Sequence, residues 1–326
     1  MVSFIIPSYN RNTYLIQLLE SIISQDYRDL EIIVVDDNSS DETESTMRKY
    51  ADQYPFINYH RNKKNMGCGF NRGFGFNQSK GEYIVFADDD DYYTDNAFLS
   101  KCLSAFEQYD DLSFVSGLTY ILIEKTGQKK KIEMNVRGYM EKAKYLENFS
   151  LKYNKPQSTF PTLFKRKSLE MAGIAEMEMV NDVSIYMRML LYGGAYILED
   201  VIGVYRVHDS NITKSLSSDF IIENLNEKKY IFEKGTAQSV ISDESWMKRQ
   251  FFLTIRYYFS YTRTNLTDLR KILKWSAENL NMKDSLKTEI INSYLKGYFI
   301  KKLLVPTKLL VKKVLKPRND KNLIKT

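Results

Sequence analysis

The run Asp88-Asp89-Asp90-Asp91 closes a short apolar stretch, Tyr83 to Ala87. Four adjacent carboxylates repel one another and resist burial, so a chain that sets them at the end of a strand brings in a counter-charge. A divalent cation is the natural one. Mg²⁺ and Mn²⁺ take carboxylate oxygens, and Mg²⁺ is commonly held by one or two carboxylates plus the phosphates of a substrate. The run therefore points to a metal-bridged phosphate ligand, with a solvated acidic turn as the plainer alternative. Position favours the ligand, because open α/β sheets bind outside the carboxyl ends of their strands.

Two other places could carry chemistry. Asp182 opens an apolar segment, Tyr186-Met187-Arg188-Met189-Leu190-Leu191, where a carboxylate is either a cap stabilised by the helix dipole or a reactive group. The chain has two histidines. His60 reads as structural, whereas His208, leading the polar loop His208-Asp209-Ser210-Asn211, could add an imidazole to the cation if the fold brings it near.

The elements that must position these residues alternate between strand and helix. Phe4-Ile5-Ile6 reads as a buried strand, Pro7 to Arg11 as the loop leaving it, and Leu15, Leu18, Leu19, Ile22 and Ile23 as the apolar face of a helix. Glu31 to Val35 is a second strand ending in Asp36-Asp37-Asn38, and Ser39 with Glu42 has capping-box spacing before a second helix. Phe56 to Tyr59 and Tyr83 to Val85 supply two more strands. Glycines 67, 69, 73 and 75 lack a following Gly-Lys-Ser/Thr and do not fit the dinucleotide fingerprint, so they predict close helix-sheet packing and backbone approach to a ligand. Further on, Leu118 to Glu124 and Lys129 to Met134 predict a hairpin, with Lys129-Lys130-Lys131 either a solvated edge or a contact for an acidic acceptor. Residues 139–149 read as a helix, Phe160 to Phe164 as a strand, and Ala195 to Leu198 and Val201 to Val207 as two short strands. The pattern predicts a mixed, mostly parallel sheet flanked by helices. From Asp219 it turns helical and aromatic.

Composition bounds the rest. Of the 326 residues, 43% are apolar and 27% charged, an ordinary soluble composition. Cys68 and Cys102 form neither a ligand pattern nor a disulfide framework and read as free thiols. No leader pattern precedes the first strand and no apolar window is long enough to span a bilayer, so the chain is expected in the cytoplasm. The net charge of +6 is uneven: residues 291–326 hold ten Lys or Arg against one acid. Ile300, Leu303, Leu304, Thr307, Leu310, Val311, Val314 and Leu315 fall on one helical face there, and Pro306 should kink or divide the helix. Such a tail either lies on an anionic membrane or docks on the domain with its lysines in water.

In order, Val2 to Arg11, then Ile33 to Asp41, then Asn65-Met66-Gly67, then Lys80-Gly81-Glu82-Tyr83-Ile84 with the acidic run resemble the GT-A catalytic domain of glycosyltransferase family 2. The resemblance covers roughly residues 1–215 and is strongest up to Tyr93. It implies a Rossmann-like catalytic domain over 1–215, with a nucleotide-binding part (1–117) and an acceptor-binding part (118–215), followed by a helical region (216–326). It further implies that Pro7, Tyr9, Arg11, Asp37, Asn65 and Arg72 line the nucleotide-sugar site, with Asp37 on the base. Asp88 and Asp90 match the family's Asp-x-Asp motif, Asp90 as direct ligand of Mn²⁺ or Mg²⁺ and Asp88 toward the sugar or a metal water. Asn181-Asp182 is similar to the acidic pair whose second member is the catalytic base, and His208 to the histidine that completes the metal site. Gly73 stands where the family commonly has Asn.

The implied reaction is inverting transfer of a sugar from a nucleotide-diphospho sugar, UDP-linked, to a hydroxyl of a lipid-linked saccharide, at the inner face of the cytoplasmic membrane. No nucleic-acid partner is expected. Two alternatives stand beside it: a metal-dependent nucleotidyltransferase, whose first strand would lead into a basic glycine-rich loop instead of Pro7-Ser8-Tyr9-Asn10, and a non-catalytic scaffold on the same fold.

Overall fold

The computed structural model describes residues 1–177, 182–208, 217–262, 264–280 and 284–314, with backbone alone at 261 and 300–314. In chain order the elements are Val2–Ser8 (β1), Asn12–Ile23 (α1), Leu30–Asp36 (β2), Thr43–Gln53 (α2), Ile57–Arg61 (β3), Cys68–Gln78 (α3), Tyr83–Phe86 (β4), Tyr92–Tyr93 (β5), Phe98–Gln108 (α4), Leu112–Ile123 (β6), Gln128–Lys131 (β7), Gly138–Met140 (β8), Lys142–Asn148 (α5), Thr162–Lys165 (β9), Arg166–Met171 (α6), Asp182–Met189 (α7) and Gly194–Val207 (β10). Four helices follow: Ser218–Ala237 (α8), Trp246–Tyr261 (α9), Leu266–Asn279 (α10) and Asp284–Val314 (α11). Two compact units result, Met1–Asn211 with Glu227–Trp246, and Ile212–Asn226 with Met247–Thr326.

The first unit is a mixed sheet in the order β3-β2-β1-β4-β9-β6-β10-β5, with β7 added to β6 and β8 to β10. Strands β3, β2, β1 and β4 are mutually parallel, and β6 runs parallel to β10. Every residue of β1 and β2 is buried, as strands covered on both faces must be. Leu15, Leu18, Leu19 and Ile22 of α1 are fully buried in the cluster that holds Val2, Phe4 and Ile6, each contributing ~1.5–3 kcal/mol. Gly75 lets α3 lie on the sheet: a Cβ there would stand 2.5 Å from Ile5 Cγ2.

Several sequence expectations need correction. The capping box at Ser39 and Glu42 does not form. Ser39 Oγ accepts from the Asn10 N–H at 2.9 Å, and the helix starts at Thr43, whose N–H donates to Asp41. Residues 138–140 pair with β10 as a strand, so the helix expected over 139–149 is confined to α5. The two strands expected over 195–207 are one, β10, with register shifts between Ile197 and Gly203 that leave Glu199 and Asp200 exposed.

The second unit is helical and aromatic. Phe251 stacks on Trp275, Trp275 Nε1 donates to Asn226 Oδ1 at 2.6 Å, and Asn265 with Asp268 caps α10 reciprocally. The helix α11 runs as one element across Pro306. The side chains from Ile300 onward, on which the amphipathic reading of the tail rests, lie outside the described residues, as does Asn181.

Candidate active site

The carboxyl ends of the parallel strands converge where β1 leaves at Ser8 and β4 at Phe86. Ala87 still bonds to β1 (N–H to Ile5 O, 3.0 Å), and Asp91 N–H then reaches back to Asp88 O at 3.2 Å. That turn sends the four acidic side chains in different directions. Asp88 is about a quarter exposed, while Asp89, Asp90 and Asp91 are buried.

Each acid has a partner. Arg11 Nη1 lies 2.9 Å from Asp89 Oδ1 and 2.8 Å from Asp90 Oδ2. Arg72 Nη2 lies 2.5 Å from Asp88 Oδ1, His208 Nε2 is 2.8 Å from Asp90 Oδ2, and Asp91 Oδ1 accepts the Arg206 N–H at 3.0 Å. Arginines thus supply much of the counter-charge the sequence called for. Burial pushes the Asp89 carboxyl up to about 6, against the pull of Arg11, and raises Asp90 and Asp91 as well.

Arg72 is the bridge to the second acidic position. It projects from α3, is 5% exposed, and places Nη1 3.7 Å from Asp182 Oδ1 while Nη2 holds Asp88. Asp182 is the first residue of α7, with a side chain 29% exposed. Burial raises its carboxyl above the ordinary range, opposed by Arg72 and Lys155. Lys155 itself donates to Pro156 O (2.9 Å) and Gln157 O (3.1 Å).

His208 directly follows the last residue of β10, Val207, and is held from the side. The Tyr14 ring stacks on it (centroids 5.6 Å, 27°), Tyr14 OH donates to Glu124 Oε2 at 2.7 Å, and the Arg206 guanidinium lies 4.7 Å from the ring centroids of both Tyr14 and Tyr92. Arg206 also donates to Gln17 and Glu124. Sequence reasoning gave Tyr14, Glu124, Arg206 and Asp89 no role of their own. Arg206 at least had a signal, standing two residues before His208.

Of the other expected donor residues, Pro7 is buried in β1 opposite Val35, and Tyr9 is half exposed with its N–H 3.4 Å from Asp89 Oδ2. Asp37 is buried and organises the loop before α3, accepting from Asn62 Nδ2 (2.9 Å), Met66 N (2.7 Å) and Gly67 N (2.9 Å). Burial opposes its charge, yet these donors hold its carboxyl below the usual range. Gly67, at φ +86°, makes that approach possible. Asn65 is exposed on the same loop. The structure therefore brings Arg11, Arg72, Asp88, Asp90, Asp182 and His208 to one centre, and sets Pro7, Tyr9, Asp37 and Asn65 along its β1–β2 side.

Asp90 and His208 suit a divalent cation of the Mn²⁺ or Mg²⁺ type, since a hard carboxylate oxygen and an imidazole nitrogen already meet at 2.8 Å. Among the described residues no three His, Cys, Asp or Glu side chains form a complete cage. Asp88 points instead to Arg72. The fit is to an ion that draws its remaining ligands from water and a substrate's phosphates.

The profile of Glycosyl transferase family 2 matches residues 3–171. A Campylobacter jejuni protein, GalNAc(5)-diNAcBac-PP-undecaprenol beta-1,3-glucosyltransferase, is 31% identical over 207 residues, 63% of this chain and 64% of that relative's own length. Among solved structures, S. aureus TarS 1-349 in complex with UDP-GlcNAc superposes with a TM-score of 0.62 at 18% identity, over 91% of this chain and 81% of that one. The mannosyltransferase PcManGT from Pyrobaculum calidifontis, in complex with GDP-Man and Mn²⁺, gives 0.50 at 17% identity, over 93% and 86%. At such identities the likeness establishes the fold, which is GT-A.

Proposed function

The chain belongs to glycosyl transferase family 2, and we propose that it moves a sugar from a UDP-linked donor to a hydroxyl of a lipid-linked saccharide, with inversion, in cell-surface polysaccharide synthesis. The observation that carries the reading is the Asp88–Arg72–Asp182 bridge beside the Asp90–His208 pair. It joins a phosphate-and-metal locus to a carboxylate able to take a proton.

Asp182 accepts the proton of the attacking hydroxyl, a role worth ~10²–10⁴-fold in rate. Its raised pKa makes it a better base than an ordinary aspartate, and Arg72 opposes that rise. With one base and no enzyme nucleophile, displacement is direct and the anomeric configuration inverts. Asp90 and His208, with Asp88 through water, would hold Mn²⁺ or Mg²⁺, which when bound neutralises charge on the leaving diphosphate. Asp37 shapes the base pocket through the loop 62–67, and Pro7, Tyr9, Arg11 and Asn65 line the donor side.

The name of the Campylobacter relative supports a lipid-diphosphate acceptor, and the UDP-GlcNAc in TarS a UDP donor. None of the described helices is long and apolar enough to cross a membrane. The basic tail then supplies attachment to the anionic inner face of the cytoplasmic membrane.

Thermal melting with UDP, GDP and dTDP, each with and without Mn²⁺, tests the reading. One nucleotide at 100 times its Kd should add about 2.7 kcal/mol, only with metal and only while Asp90 is present. No shift with any nucleotide, or an undiminished one in Asp90→Ala, overturns it.

A further inference from the structure

Residues 118–160 hold nine Lys or Arg against four acids, whereas residues 1–117 hold ten against nineteen. The basic excess gathers around the β6–β7 hairpin. Lys125 is exposed at its turn and Lys129, Lys130 and Lys131 along β7, which among the described residues pairs with β6 alone. Lysines on an edge strand ordinarily keep other strands from adding. That accounts for their presence but not for where the segment is anchored.

Both ends of the basic segment are tied to the active centre. At the hairpin turn, Glu124 accepts from Tyr14, whose ring lies on His208. At the other end the path runs from Lys131, 3.8 Å from Glu133, through the Glu133 carbonyl, which accepts from Asn154 Nδ2, to Lys155, whose ammonium acts on Asp182. Asn135 clamps the same two loops, donating to Lys152 O and accepting from Asn154 N–H. The basic segment thus flanks the centre from the metal side to the base side.

We propose that this strip, Lys125 and Lys129 to Lys131 on the hairpin with Lys152 on the loop that Asn135 clamps to it, docks a phosphate group carried by the acceptor. The inference rests on the glycosyl-transfer reading, because it is the acceptor hydroxyl that must reach Asp182. Its charges are almost all ammonium. Arg137, the guanidinium in this stretch, is occupied by Glu133 and by the Met134 and Val136 carbonyls. The exposed ammonium groups of Lys125, Lys129, Lys130 and Lys131 can meet a phosphate as point charges. Lys129 and Lys131 lie on one face of β7, about 7 Å apart, and Lys129 is braced over the Tyr120 ring at 4.4 Å. The phosphate has two possible sources: the diphosphate joining saccharide to lipid, or phosphodiesters within the acceptor chain.

Calorimetry on the full chain loaded with UDP and Mn²⁺ tests this, with geranyl diphosphate, glycerophosphoglycerol and phosphatidylglycerol–phosphatidylcholine vesicles as separate probes. The comparison is wild type against the triple variant Lys129→Gln, Lys130→Gln, Lys131→Gln, whose UDP–Mn²⁺ melting shift should be unchanged. Binding of geranyl diphosphate or glycerophosphoglycerol that weakens about tenfold in the variant supports the proposal, and the probe that binds identifies the source. Equal binding by both proteins, no binding of either soluble probe, or strip-dependent binding of vesicles alone overturns it. Loss of UDP binding with strip-dependent phosphate binding intact would instead overturn the function reading and leave the strip as an anion site.

Discussion

Replacing Arg72 with Met removes the cation between Asp88 and Asp182 while keeping an unbranched side chain of similar reach. Two unit charges ~4 Å apart attract by ~4 kcal/mol at an effective dielectric constant of ~20, and Arg72 has carboxylates at 2.5 and 3.7 Å. Part of that attraction offsets the desolvation of a guanidinium 5% exposed. Breaking a buried pair costs about 3–5 kcal/mol, and Asp88 and Asp182, each just over a quarter exposed, regain some hydration, so about 3 kcal/mol is expected. Urea denaturation at pH 7.5 of the single variants Arg72→Met, Asp88→Asn and Asp182→Asn, and of the doubles, measures it. Coupling should be larger for Asp88 than for Asp182, following distance. The sign with pH is fixed. Asp182 is already raised, and losing Arg72 raises it further, so below that pKa the folded state binds the extra proton. The deficit should therefore shrink as pH falls toward the ordinary carboxylate range. A loss under about 1 kcal/mol, or coupling indistinguishable from zero, refutes the bridge.

Asp182→Asn should lower kcat by ~10²–10⁴-fold and leave the nucleotide melting shift intact; in the wild type, the acid limb of kcat should lie above the ordinary aspartate value of 3.8. Tyr14→Leu should free the His208 ring and raise the Mn²⁺ concentration for half-maximal UDP stabilisation about tenfold, whereas Tyr14→Phe keeps the stacked ring and most of the effect; equal behaviour of the two variants would deny the stacking role. Gly75→Ala must push Ile5 or α3 aside and should cost about 1–3 kcal/mol in denaturant melts, with nucleotide specificity unchanged.

The parallel half of the sheet was legible because strands buried on both faces need continuous apolar residues, and Phe4 to Ile6 and Ile32 to Val35 have them. Local signals failed where a distant partner decided. Ser39 has the spacing of a cap, but Asn10, some thirty residues earlier, takes its hydroxyl. Tyr139 and Met140 have helical neighbours, yet β10 offers an unpaired edge and takes them as a strand. Glu199 and Asp200 suggested a break between two strands, but register shifts carry β10 past them.

The acidic run shows why a site is harder to read than a strand. Sequence treats Asp88 to Asp91 as four equivalent charges, and a family motif separates Asp88 and Asp90 without saying what the other two do. The turn at Asp91 N–H separates all four. Asp89 stands behind Arg11 and receives the Tyr9 N–H, coupling the first strand's exit to Asp90, which Arg11 also holds. Asp91 fixes β10 through the Arg206 N–H, and that backbone position delivers His208 to Asp90. Asp88 and Asp90 pair with Arg72, Arg11 and His208, while Asp89 and Asp91 align β1 and β10. Arg11 and Arg72 offset part of the charge of this frame, so under the proposed reading a cation at Asp90 would meet carboxylates already partly neutralised and held in place.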